Sequence, residues 1–342
     1  MQGNDRTMNE EFLSQPVLVY GPRKGGTSLL QNLLDGGSCL LMMPGELKLK
    51  VFVRKPERAR ADPADLFSTR GRSFFPAMIE RARQQSLATD DTHDIGGLPV
   101  CEMARLLDVD EYAARIAAIR GNDVRELLQA DAIAFASALR GNPTSIRRWA
   151  SKEVGGNPTK ILELFCQHFP QGQVVLAVRQ PEFIIRSIIR DRKRKGVRMS
   201  IRSILHECQD AQRILRYAYE RGCREHLVVA YEQLTADVAG EMGRICKALG
   251  IPFEEVLTKP TTLGEPVVVD TSSQKTKDVF RQPSSWRKDL TCREVTVIRC
   301  FQMLGPIWYA AKRQPFVKYD QVTSLLDAMR AGKAALSSDK AD

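Results

Sequence analysis

The chain has 342 residues, 43% hydrophobic and 27% charged, and 51 lysines and arginines against 41 acids give a net charge of +10. Those are globular proportions, and the length suits one large domain or two small ones. Eight cysteines without CxxC spacing argue against zinc and against a disulfide framework, and no run of about 18 apolar residues offers a membrane span.

The basic surplus fits either a solvated surface or an anionic partner, whether nucleotide, sulfated or phosphorylated substrate, nucleic acid or membrane. The cysteines read as buried free thiols in a reducing compartment. The amino terminus is polar and acidic, and the first strand is expected near residue 16. That leaves no room for a signal peptide, so a cytoplasmic protein is expected.

In chain order, Pro16–Tyr20 reads as a short strand, Thr27–Leu34 as a helix stopped at Asp35-Gly36-Gly37, and Cys39–Met43 as a second strand. Strand, helix and strand within about thirty residues form a βαβ unit. The stretch 56–145 reads as a helical insertion, with helical patterns near Phe74–Gln85, Cys101–Arg120 and Val124–Leu139. Ile146–Ala150, running into Ser151-Lys152-Glu153, suggests a short strand edging the sheet. Thr159–Phe169 fits a helix, and Val174–Val178 is the valine-rich run of a buried parallel strand.

Pro181–Arg194 is a helix with proline in its first turn. Ser200–Arg221 is a long amphipathic helix, Leu227–Tyr231 a strand, Leu234–Leu249 a helix closed by Gly250, and Cys292–Leu304 a further helix. Residues 258–290 look loop-like, and the polar tail 336–342 is expected to be disordered. Alternation of strands and helices predicts an α/β three-layer sandwich with a central parallel sheet, in a single domain over 1–335. Ligands are then expected at the carboxyl ends of the strands.

Gly21-Pro22-Arg23-Lys24-Gly25-Gly26-Thr27-Ser28 follows the first strand and opens a helix. Such a turn offers backbone N–H groups, a helix dipole and a mobile cation to a phosphate or sulfate. Its glycines match the spacing of the P-loop GxxxxGK[ST], but Thr27 stands where the lysine belongs and the lysine comes early, at 24. Val178-Arg179-Gln180-Pro181 with Ser187 forms a second block, a strand ending in arginine and a helix carrying a hydroxyl, able to hold a second phosphate.

Together these segments resemble the sulfotransferases that use 3′-phosphoadenosine 5′-phosphosulfate (PAPS). Lys24-Gly25-Gly26-Thr27-Ser28 resembles the family's 5′-phosphosulfate loop, with glycine at 25 where serine or threonine is commoner. Arg179-x-Pro181 with Ser187 resembles the 3′-phosphate segment. Trp149-x-Ser151-Lys152, Tyr231-Glu232-x-Leu234, Leu249-Gly250-Ile251-Pro252 and Ser285-Trp286-Arg287-Lys288 also look like the family. The resemblance covers about 16–55 and 146–310. It implies a P-loop-like fold and transfer of a sulfuryl group from PAPS to a hydroxyl or amine, leaving adenosine 3′,5′-bisphosphate. No metal is required. The acceptor is a carbohydrate, lipid or small molecule, and the insertion would cap its pocket.

Under that resemblance Lys24 neutralises the leaving oxygen, with Arg23 as a second possible base beside it. Gly25, Gly26, Thr27 and Ser28 hold the 5′-phosphate. Arg179 and Ser187 hold the 3′-phosphate, and Arg287 with Lys288 closes over it. Glu46, after the second strand, is the first choice of general base and His93 the second. Lys152 reads either as a cation that approaches the sulfate, which its place after a strand favours, or as a solvated surface lysine, while His168, His206 and His226 read as structural. The run Arg190–Lys195 reads as the solvated, cationic end of a helix rather than a nucleic-acid element. Two other readings stay open. One is a P-loop small-molecule kinase, which needs a lysine after Gly26. The other is a non-catalytic binder of anions or nucleic acid.

Overall fold

The computed structural model describes residues 10–57, 62, 64, 67, 79–81, 84, 94–95, 97–119, 123–140, 146–270, 275–276, 279 and 285–331. A short helix, α1 (Glu10–Ser14), precedes the first strand, β1 (Val17–Gly21), and α2 (Thr27–Leu34) follows it. Next come β2 (Leu40–Glu46) and α3 (Leu49–Arg54). The insertion contributes α4 (Val100–Leu106), α5 (Val109–Ala118) and α6 (Val124–Ala138). The second half runs β3 (Arg148–Val154), α7 (Pro158–His168), β4 (Gln173–Val178), α8 (Pro181–Arg194), α9 (Ile201–Tyr217), β5 (Leu227–Ala230), α10 (Tyr231–Ala236) and α11 (Val238–Leu249). It closes with α12 (Cys292–Ala311) and α13 (Tyr319–Arg330).

These five strands form one parallel sheet in the order β2-β3-β1-β4-β5, and short antiparallel pairs lie outside it at 94–99, 261–266 and 269–276. All five residues of β1 are buried, as a continuous apolar run predicts for a central strand covered on both faces. Because side chains alternate along a strand, β1 feeds two cores. Leu18 and Tyr20 join Trp149, Phe165, Phe169 and Leu176 on one face, and Val17 and Val19 join Leu33, Val175, Val229 and Ile245 on the other. Trp149 meets Phe169 edge-on, with ring centroids 5.7 Å apart. A third cluster packs Ile184, Ile185 and Ile188 of α8 against Ile204 and Cys208 of α9 and Ile298 of α12.

The α/β three-layer reading holds, with local corrections. β3 is not an edge strand; it lies between β2 and β1. Its first residue, Arg148, is buried by reaching two carbonyls, Gln15 O and Leu249 O, each at 2.6 Å. A polar strand end therefore survives inside the sheet with Nε and Nη1 satisfied by the backbone, while Nη2 is buried without a partner. β2 runs on through Pro44 and Gly45, with a break in register between Met42 and Glu46. The pattern over Cys101–Arg120 is two helices, divided at Leu107 and Asp108, where the Asp108 side chain caps α5. α12 continues through Pro306 to Ala311.

The cysteines are free, but only Cys208, Cys223 and Cys246 are buried; Cys101, Cys292 and Cys300 lie on outward helix faces and are exposed. Of the pattern near Phe74–Gln85 only 79–81 and 84 are described, all helical, and the tail 336–342 lies outside the described residues. Among the described residues no helix is long and apolar enough to cross a membrane.

The connection leaving β1 runs to β2 on one side, while that leaving β4 runs to β5 on the other, and β1 and β4 are neighbours. Their carboxyl ends therefore form the crevice where ligands bind in open α/β sheets.

Candidate active site

The turn after β1 is tight. Gly25 N donates to Pro22 O at 3.0 Å, and Lys24, third of the four residues, takes φ +57°. Gly26, with φ +101°, is the N-cap of α2, and no side chain caps that end. The first-turn N–H groups and the positive end of α2 thus face the crevice without a competing side-chain acceptor at the cap. A Cβ at Gly25 would come within 2.5 Å of the Pro22 ring, and one at Gly26 within 2.5 Å of the Tyr231 ring. The departure at position 25 has a local cause: Pro22 occupies the space that a serine or threonine there would need.

Arg179, at the end of β4, crosses to this turn. Its Nη1 donates to Lys24 O at 2.8 Å, and its guanidinium lies 4.1 Å from the centroid of Tyr231. One aromatic ring therefore supports both the arginine and the glycine turn. Lys24 itself reaches Asp191 of α8, Nζ to Oδ1 at 3.4 Å. Asp191 is buried and also receives Lys195 at 3.2 Å and Arg194 at 3.3 Å. Burial pushes its carboxyl up, but Lys24 and Lys195 hold it below the ordinary aspartate range.

Ser187 lies in the second turn of α8 and is buried. Beside it, Arg186 Nε donates to Lys288 O at 2.9 Å and Nη2 to Asp289 Oδ2 at 2.8 Å, and Arg190 also pairs with Asp289. The Arg287–Lys288 segment is thereby tied to α8 next to Ser187. The exposed Arg287 sits over Trp286, 5.6 Å from its centroid. Arg23 turns away from the turn, toward Glu207 of α9, at 3.6 Å.

The other half of the rim carries the carboxylates. Glu46 ends β2 and accepts from Lys50 at 2.8 Å and Lys48 at 3.0 Å. Burial works against its charge, but the two lysines hold its carboxyl below the ordinary glutamate range. Lys50 Nζ also lies 3.5 Å from Glu153, a fully buried residue of β3 whose Oε2 has no hydrogen-bond partner. Burial holds the Glu153 carboxyl above its usual range, although Lys50 opposes this. Lys152, next along β3, donates to Ser28 Oγ at 2.9 Å and joins the two halves. His93 lies outside the described residues.

The sequence profile of the sulfotransferase family matches residues 16–255, which takes in all five strands of the parallel sheet and both rim turns. The chain belongs to the sulfotransferase family. No curated protein matches it in sequence. Among solved structures it is similar to the sulfotransferase domain of the Synechococcus PCC 7002 olefin synthase, at 18% identity over 86% of this chain and 97% of that one, TM-score 0.44. It is also similar to the sulfotransferase domain of the curacin biosynthetic pathway, at 16% identity over 93% and 98%, TM-score 0.41. Sulfotransferase STF9 of Mycobacterium avium follows at 16% identity over 72% and 66%, TM-score 0.42.

Several side chains at the rim of this sulfotransferase were not singled out from sequence: Asp191, Tyr231 as the support of Arg179, and the Lys50–Glu153 pair. Asp191 had a signal, being the one acid inside the basic run Arg190–Lys195. That run is solvated only at its end; Asp191 and Arg190 face protein. Among the described residues no cluster of His, Cys, Asp and Glu is arranged to hold a metal.

Proposed function

We propose that this sulfotransferase moves a sulfuryl group from PAPS to a hydroxyl or amine of a carbohydrate, lipid or small-molecule acceptor. The observation that carries the reading is the 2.8 Å bond from Arg179 to the carbonyl of Lys24, which places an arginine fork and a lysine turn on one crevice. Cations from two strand ends on one crevice suit a nucleotide that carries two separate phosphates. The chain fits the donor: a glycine turn with no room for Cβ, an uncapped helix start, and Lys24, Lys152 and Arg179 as cations.

PAPS supplies an activated sulfuryl group on a phosphate leaving group. The chain's contribution is positioning and charge. N–H groups of 25–28 with the Thr27 and Ser28 hydroxyls hold the 5′-phosphate. Arg179 and Ser187 hold the 3′-phosphate, with Arg287 and Lys288 closing from the segment tied to α8. Lys24 exchanges its partner Asp191 for the leaving oxygen, and Lys152 stands beside it. Glu46, kept ionised by Lys48 and Lys50, takes the proton of the acceptor group. The helices of 56–145 cap the acceptor pocket within one domain.

Isothermal titration tests the donor site. Adenosine 3′,5′-bisphosphate is expected to bind without metal, and ATP–Mg²⁺ more weakly. Tight ATP–Mg²⁺ binding with no affinity for the bisphosphate overturns the reading in favour of a kinase. Acceptors follow from mass spectrometry of metabolite or glycan extracts incubated with enzyme and an isotopically labelled sulfate donor.

A further inference from the structure

Helix α12 turns an apolar stripe to solvent. Met303, Leu304, Ile307 and Trp308 are 74%, 59%, 68% and 40% exposed. With exposed Cys300 and Ala311 they follow the i, i+3, i+4, i+7 spacing of a single helix face. The opposite face does the packing. Ile298 joins the cluster with Ile204 and Cys208, Gly305 lies against the Phe316 ring, and Tyr309 meets Phe316 edge-on at 5.6 Å. Folding therefore uses the inner face alone, and the outer stripe is apolar for another reason.

The charges around the stripe indicate what covers it. From Val295 to Arg313 the helix and its end carry no acidic residue; the charged residues are Arg299, Lys312 and Arg313. The Lys312 ammonium sits 3.7 Å over the Trp308 ring, so an indole and a cation share one edge of the stripe. An apolar face bordered by cations, with tryptophan at the boundary, is the make-up of a helix lying in the interface of a bilayer. A second copy suits it poorly, because an isologous contact would bring Arg299, Lys312 and Arg313 of two molecules together with no acid from Val295 to Arg313 to offset them, the helix's one acid, Glu294, being buried and paired with Lys193.

We propose that α12 docks this sulfotransferase on an anionic lipid surface, the Met303–Trp308 stripe entering the headgroup boundary while Arg299, Lys312 and Arg313 meet lipid phosphates. The test is co-sedimentation of the full chain with phosphatidylcholine vesicles and with vesicles one-quarter phosphatidylglycerol. Pelleting with the anionic vesicles, weakened by salt, is expected to exceed that with the zwitterionic ones by about tenfold or more. The charge-neutral double variant Leu304→Ser/Ile307→Ser should lose about tenfold in partition while keeping its circular dichroism and Tm, since both side chains are exposed. The proposal is overturned by absence of binding to either vesicle, or by equal binding of the variant, which would mean that net charge alone attracts the protein. It is equally overturned if the chain dimerises without lipid and the same substitutions abolish the dimer.

Discussion

The two halves of the sheet's carboxyl rim are built by different means. At β1 and β4 the rim is mostly backbone: a glycine turn, a helix start and one arginine that braces the turn through a carbonyl. At β2 and β3 it is a side-chain network in which Lys50 stands between Glu46 and the buried Glu153. A backbone cradle binds whatever anion matches its spacing and changes little with pH. A lysine–carboxylate network sets protonation and so fixes the reactive state of one group. The first half suits holding a donor, the second activating an acceptor, and Lys152 with Ser28 is where they touch.

Substitutions separate the halves. Glu46→Gln should lower kcat by about 10²–10⁴-fold, the range for a lost general base, with bisphosphate affinity unchanged by titration. An equal loss of nucleotide affinity would move Glu46 out of the acceptor half. Lys24→Ala should cost about 10²–10³-fold in kcat, the range for one removed charge-stabilising group, read by transfer of labelled sulfate. Arg179→Ala should weaken the bisphosphate by about 10–100-fold, from loss of a charge-assisted bond and of the brace on the turn. If kcat fell while affinity held, the division of labour proposed for the rim would fail.

Lys50→Met should act through pH. Lys50 is one of the groups holding Glu46 ionised, so without it the acid limb of kcat/KM should shift to higher pH. An unmoved limb would leave Lys48 as the sole control. The smallest effect concerns stability. Asp35, just past α2, accepts from Thr261 and Gly264 at 2.8 and 2.7 Å, and burial pushes its carboxyl up to about 6. Below about pH 4 both folded and unfolded chains keep this proton. Between about 4 and 6 the unfolded chain releases it first, so the contribution to stability is lost as pH rises through the folded value. Asp35→Asn should flatten that part of a Tm–pH curve by a few degrees.

How much was legible depended on range. The cradle could be read because each of its needs is local: glycines where Cβ has no space, a lysine on the turn, a strand before and a helix after. Arg179 was legible by the same rule, closing a valine-rich strand before a proline. Glu46 was singled out by its place after a strand, but its lysine partners lie across a further turn and its buried neighbour comes from a strand more than a hundred residues on. Arg148, Lys152 and Glu153 made β3 look like an edge, since nothing local reveals that Gln15 and Leu249 carbonyls await a buried arginine.

By itself the chain's pattern determined the alternating α/β architecture, the glycine turn after β1 and the arginine that closes β4, because apolar periodicity and glycine placement act over a few residues. Only the tertiary structure decided that β3 sits beside β1, that Tyr231 underlies both the turn and Arg179, and that Glu46 and Glu153 flank one lysine. Those relations join segments far apart in sequence, and burial, which sets whether a carboxyl keeps its proton, exists only once they have packed.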